Sequence, residues 1–150
     1  MRRWGAGALG RWGLLLVVAG CGGGGPASPG RVMVRDAFVF EAAAGGTAAG
    51  YAVIVNGTDS ADVLDSVTTP AAHTTTAHGT REMNGLVSMV PLDAPTIAAH
   101  DSLVFRPGAS HLMLEGLVGD LKDGERLVLT FWFHRAGRIP VDAMVRPYGS

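Results

Sequence analysis

Cysteine is almost missing from this chain. The only one among 150 residues is Cys21, so no disulfide can close within the chain and no cluster of thiolates can build a structural zinc cage. Blue-copper electron transfer needs a cysteine thiolate beside two histidines, and Cys21 stands ahead of every strand-like segment. An excess of positive charge is missing as well. Once residues 1–20 are set aside, nine Lys and Arg face thirteen Asp and Glu, a net of −4, which gives no reason to expect nucleic-acid binding. Paired carboxylates and a Ser-His-Asp arrangement do not stand out, because Asp62, Asp65, Asp93 and Asp101 are scattered through turn-like stretches; an enzyme is therefore not expected. No segment holds a helical apolar stripe for three turns.

A long hydrophobic run is absent too. Leu14 to Val18 is a short apolar core behind Arg2 and Arg3, too brief for a membrane-spanning helix but suited to a secretory signal. Small residues at Ala19-Gly20 directly precede Cys21, the arrangement of a bacterial lipobox. The expected organisation is a lipoprotein signal peptide at 1–20, lipidation at Cys21, a flexible Gly/Pro/Ser tether over 21–30, and one domain over 31–150. Such a chain is extracytoplasmic, in the periplasm or at the cell surface, and held on a bacterial membrane by its acyl chains.

The rest of the chain has an apolar period of two, interrupted by turn residues. Nine extended segments are expected: Val32–Phe40, Ala49–Asn56, Val63–Thr69, a stretch through Thr74–Thr76 leading to His78, Leu86–Leu92, Ser102–Arg106, Ser110–Leu117, Arg126–His134 and Ile139–Val145. Asn56-Gly57 is a strong turn signal after the second, and Pro140 argues that the last strand begins at a sheet edge. Trp132, inside the most strand-like segment, is expected in the core. Many short strands with regular turns indicate a single all-β domain, a sandwich or Greek-key barrel.

Against this background four residues stand out: His78, Met89, His111 and Met113. Ten residues separate the first pair, twenty-one the second and one the third. Imidazole nitrogen and thioether sulfur suit soft or borderline metals, and thioethers select Cu(I). His111 and Met113 are two apart, so in a strand both leave the same face. Donors without charge leave a bound cuprous ion at +1. Taken singly, each methionine fits a packing role and each histidine a surface role, so the pattern carries weight only as a set. Met83, five residues past His78, and His73, five before it, are auxiliary metal candidates. His100 and His134 match no ligand position.

The spacing and its surroundings resemble the bacterial PCu(A)C copper chaperone family, whose signature is histidine, ten residues, methionine, twenty-one residues, histidine, any residue, methionine. Tyr51–Asn56, Asp62–Leu64, the Pro107–Leu114 turn and strand, and Gly124–Phe133 resemble that family's flanking segments, and the likeness covers about residues 32–146. The resemblance implies a cupredoxin-like β-barrel. It also implies a Cu(I) site at His78, Met89, His111 and Met113, and delivery of copper toward the binuclear centre of cytochrome c oxidase. Some relatives add a His- and Met-rich C-terminal Cu(II) site; Arg146-Pro147-Tyr148-Gly149-Ser150 supplies no such donors. The expectation is a monomeric Cu(I) chaperone whose partner is a copper-accepting protein, such as an oxidase copper-site subunit. Copper storage or buffering, and a metal-free β-sandwich binding module, are the alternatives.

Overall fold

The structure is a computed structural model that describes residues 30–149. The expected signal peptide, the expected lipidation at Cys21 and the expected tether up to residue 29 lie outside the described residues. The domain is built from strands: β1 (Val32–Phe40), β2 (Thr47–Asn56), β3 (Asp62–Thr68), β4 (Ala72–Met83), β5 (Leu86–Pro91), β6 (Thr96–Ile97), β7 (Ser102–Phe105), β8 (His111–Leu117), β9 (Arg126–Phe133) and β10 (Gly137–Arg146). All nine expected segments are strands. The two-residue β6 is additional, too short to leave a periodic signal. Among the described residues no helix is long and apolar enough to cross a membrane.

The strands hydrogen-bond in the order β5-β4-β8-β2-β1-β10-β9-β3-β6, with β7 also on β2. β3 packs against β4, so the sheet curls until its two ends approach. Alternation decides what lies inside. Val39, Ile54, Leu112, Leu114, Leu129, Phe131, Ala143 and Val145 are fully enclosed, and burying each large aliphatic or aromatic side chain contributes about 1.5–3 kcal/mol. Asn56 is equally enclosed. Its amide nitrogen donates to the carbonyls of Ser60 and Ile97, and its oxygen accepts from the Thr58 amide and hydroxyl. Asn56-Gly57 is therefore not a hairpin turn, because β2 and β3 do not pair; the asparagine side chain organises a crossover loop instead.

The two-residue hairpin falls elsewhere, at Asn84-Gly85. Both residues have positive φ (53° and 77°), as a type I′ turn requires, and Met83 pairs directly with Leu86 across it. Pro140 lies in the part of β10 that pairs with β9, before β10 meets β1 at Met144–Arg146. That half of the strand has a ladder partner on one side, so the missing N–H breaks no bond. Trp132 corrects the expectation of a core residue. It alternates outward, is 41% exposed, donates its Nε1–H to the Thr68 hydroxyl and lies beneath the Arg138 guanidinium.

Candidate metal site

Three adjacent strands, β5, β4 and β8, position the four candidate donors. On β4 the register is regular from Ala72 to Met83, so Thr76, His78, Thr80 and Glu82 share one face. His111 stands directly opposite His78, Met113 opposite Thr76, and Met89 opposite Thr80. All four donors thus leave the same face of the ladder, and each methionine is a diagonal neighbour of His78. Diagonal positions are about 7–8 Å apart, within reach of a long side chain.

The imidazoles of His78 and His111 stack, with centroids 5.8 Å apart and planes 16° from parallel. His111 is buried. Its Nδ1–H donates to the carbonyl oxygen of Ala109 at 3.1 Å; a carbonyl can only accept, so the proton sits on Nδ1 and Nε2 keeps its lone pair for a ligand. The loop that supplies this carbonyl is closed on itself, since the Arg106 amide donates to Ser110 and the Ala109 amide donates back to Arg106. Gly108 at its tip has φ of +78°, a backbone state in which glycine has no Cβ clash. Pro107-Gly108 therefore aims the first metal-type residue of β8.

Met89, His111 and Met113 line a single cavity of about 530 Å³, together with Thr80 and Val87. His78 is half-buried and lines an adjoining cleft of about 450 Å³ between β3 and β4. The stacked imidazoles thus line different hollows, His111 the cavity and His78 the cleft. The His78 Nε2 is engaged with the Thr76 hydroxyl at 2.9 Å, so this nitrogen must exchange that bond before it can serve a metal. Exposure is graded across the set: His111 is 8% exposed, Met113 is half-buried, and Met89 is 62% exposed.

The auxiliary candidates stand apart. Met83 and His73 are odd-numbered on β4 and leave the face opposite His78, one at the hairpin tip and the other near the strand's start. The His73 ring instead packs on Gly116, where an added Cβ would come within 2.9 Å of it. Neither joins the set, because strand alternation turns any residue an odd number of positions away onto the other face.

An aromatic wall completes the cavity. Phe40, Tyr51 and Tyr148 line it, with Phe40 packed edge-on against Tyr51 at 5.4 Å. Burial and the neighbouring Tyr148 both push the Tyr51 phenol above its ordinary pKa, so it stays neutral at physiological pH. Among the described residues no three His, Cys, Asp or Glu side chains gather as a metal site; the candidate donors are two imidazoles and two thioethers. Sequence reasoning did not find the Thr76 hydroxyl, the Ala109 carbonyl or the aromatic wall. The first two act through contacts that spacing does not encode. The Asn84-Gly85 dipeptide that sets the β4–β5 register was a readable signal.

Residues 32–145 match the family model described as "LpqE-like: Putative lipoprotein LpqE-like". A curated relative, "Putative lipoprotein Lxx21020" of Leifsonia xyli subsp. xyli, is 34% identical over 145 residues, covering 91% of this chain and 87% of its own. Among solved structures, the copper-bound PCuAC domain from PmoF2 superposes with a TM-score of 0.65 at 21% identity, over 80% of this chain and 96% of that one. Cu(I)-DR1885 from Deinococcus radiodurans superposes with a TM-score of 0.61 at 26% identity, over 78% of this chain and 80% of that one. The PCu(A)C resemblance, the all-β fold expected from the strand pattern and the cupredoxin-like architecture that the resemblance implied are all met.

Proposed function

From a chain that belongs to the LpqE-like lipoprotein family, with four soft donors on one face of three strands, we propose an extracytoplasmic, lipid-anchored Cu(I) chaperone. The observation that carries the reading is the register of β5, β4 and β8, which brings His78, Met89, His111 and Met113 to a common face, the last three lining one cavity and His78 a cleft of its own. Neutral nitrogen and sulfur donors favour the cuprous state. The copper-bound state of two structural neighbours, PmoF2 and DR1885, supports the same assignment.

The mechanism is ligand exchange, with copper as cargo. Met89 is the most exposed donor, so an incoming thiolate or imidazole displaces its thioether first. Met113 follows, and the buried, carbonyl-anchored His111 releases last. Cys21, the lipidation site, confines the carrier to the membrane surface. The acceptor is a copper-site subunit of the cytochrome c oxidase type, and the chain acts as a monomer without catalysing a reaction. Exchange through an exposed thioether favours delivery over storage, since a buffer gains nothing from a donor that any partner can reach.

Anaerobic titration with Cu(I) against a chromogenic chelator tests the reading. One ion per chain is expected, lost or strongly weakened in His111→Ala. Equal uptake by the wild-type chain and a variant with all four donors replaced excludes the site. Transfer to a purified oxidase copper domain then separates carrier from buffer: a copper-loaded chain that fails to give up its ion refutes delivery.

A further inference from the structure

Among the described residues, nothing packs over the β4–β5 hairpin. Every residue from Thr80 to Met89 is exposed, although Met83, Leu86, Val87 and Met89 are large and apolar and stand 61–75% open to solvent. β5 ends the sheet, so its outer edge pairs with no other strand among the described residues. Alternation divides the hairpin into two faces. Glu82, Val87 and Met89 share the metal face, while Arg81, Met83 and Leu86 point away from it. An apolar projection that carries the most accessible copper donor is a docking element.

The charge around it specifies the partner. Asp65, Asp93 and Glu115 line the cleft beside His78, Glu41 lines the cavity beside Met113, and neither hollow is lined by Lys or Arg. Among the described residues the ion pairs are Arg35–Asp36 and His100–Asp59, so the three cleft carboxylates have no cation of their own. Arg106 leads into the loop below the cavity but lines neither hollow. An acceptor with an acidic rim would be repelled here. One with a cationic rim would be steered in, an effect worth about 10–10³ in association rate.

We infer that the β4–β5 hairpin, with the carboxylates beside it, is the docking face for the copper acceptor. That acceptor presents an apolar patch ringed by Lys or Arg around its own copper-binding donors. The inference rests on the proposed Cu(I) site and adds the partner's surface chemistry. Met89 would enter the acceptor's site while Val87 packs on its apolar patch, and the cleft carboxylates pair with the surrounding cations.

The test uses the mature chain loaded with Cu(I), mixed in stopped flow with two synthetic peptides. The peptides share one leucine-flanked dithiol core and differ only in carrying three lysines or three glutamates. At low ionic strength the lysine peptide should strip copper at least about tenfold faster. Neutralising the cleft with Asp65→Asn, Asp93→Asn and Glu115→Gln should bring the ratio close to one and leave the equilibrium Cu(I) affinity unchanged. Val87→Ser should slow both peptides several-fold. Equal rates for the two peptides with the wild-type chain, a ratio that survives neutralisation, or no effect of Val87→Ser overturns the docking face. A wild-type chain that takes up no Cu(I) before mixing overturns the metal site instead.

Discussion

Replacing Met113 by alanine separates copper binding from folding, because the side chain sits on the outer face of β8. It is half-buried and lines the cavity, while its neighbours Leu112 and Leu114 are wholly enclosed. A core Met→Ala costs about 2–5 kcal/mol; for a half-buried methionine outside the core the expectation is about 1–2 kcal/mol. Binding should suffer more. Loss of a partner behind a metal ligand typically weakens affinity about 10–100-fold, so loss of a ligand should reach at least the upper end, about 2.8 kcal/mol at 1.4 kcal/mol per tenfold. Differential scanning calorimetry in reductant reads both effects. With free Cu(I) at about 100 times the wild-type Kd, binding adds about 2.7 kcal/mol to stability. The variant, with a Kd about 100-fold weaker, gains only about 0.4 kcal/mol from the same free copper. At roughly 4 °C per kcal/mol, copper should raise the wild-type Tm by about 11 °C and the variant's by about 2 °C. Equal copper-induced shifts would show that Met113 is a packing residue and not a ligand.

Other consequences rest on single contacts. Leu114→Ala empties a fully enclosed position and should cost about 2–5 kcal/mol in denaturant unfolding, with Cu(I) affinity of the folded fraction retained. Thr76→Val removes the hydroxyl that occupies the His78 Nε2; a hydrogen bond worth about 1 kcal/mol need no longer be broken, so chelator competition should show a several-fold gain in affinity. Burial would raise the pKa of Asp62, but the amides of Arg135, Ala136 and Val63 and the Arg135 charge outweigh it and hold the carboxyl below its ordinary value. A depressed carboxyl contributes stability that is present above its unfolded pKa and lost as pH falls through the folded one. Asp62→Asn should therefore be less stable at neutral pH, with a flatter decline below about pH 4 in acid-unfolding curves.

The strand pattern was legible because alternation is a direct imprint of a half-buried pleat. Arg126–Phe133 and Ala49–Asn56 read as strands for that reason, and the His-Met spacing marked four candidate donors that the strand register brings to one face. Register was legible in part. His111 and Met113 share a face by spacing alone, but that His78 stands opposite His111 depends on where β4 and β8 align. The Asn84-Gly85 turn sets only the β4–β5 register, which places Met89 opposite Thr80. Trp132 misleads because an apolar aromatic in a strong strand looks internal. Its outward parity is visible only against Phe131 and Phe133, both buried. Asn56 misleads because an Asn-Gly pair favours a hairpin locally, while here the buried amide is claimed by Ser60, Ile97 and Thr58. Met83 and His73 look close to the site in sequence and are excluded by parity.

X-ray absorption on the copper-loaded mature chain goes straight to the central claim. A cuprous edge with two nitrogen and two sulfur neighbours is expected, reduced to one sulfur in Met89→Ala. A first shell of nitrogen and oxygen alone, or one that Met89→Ala leaves unchanged, would contradict the account.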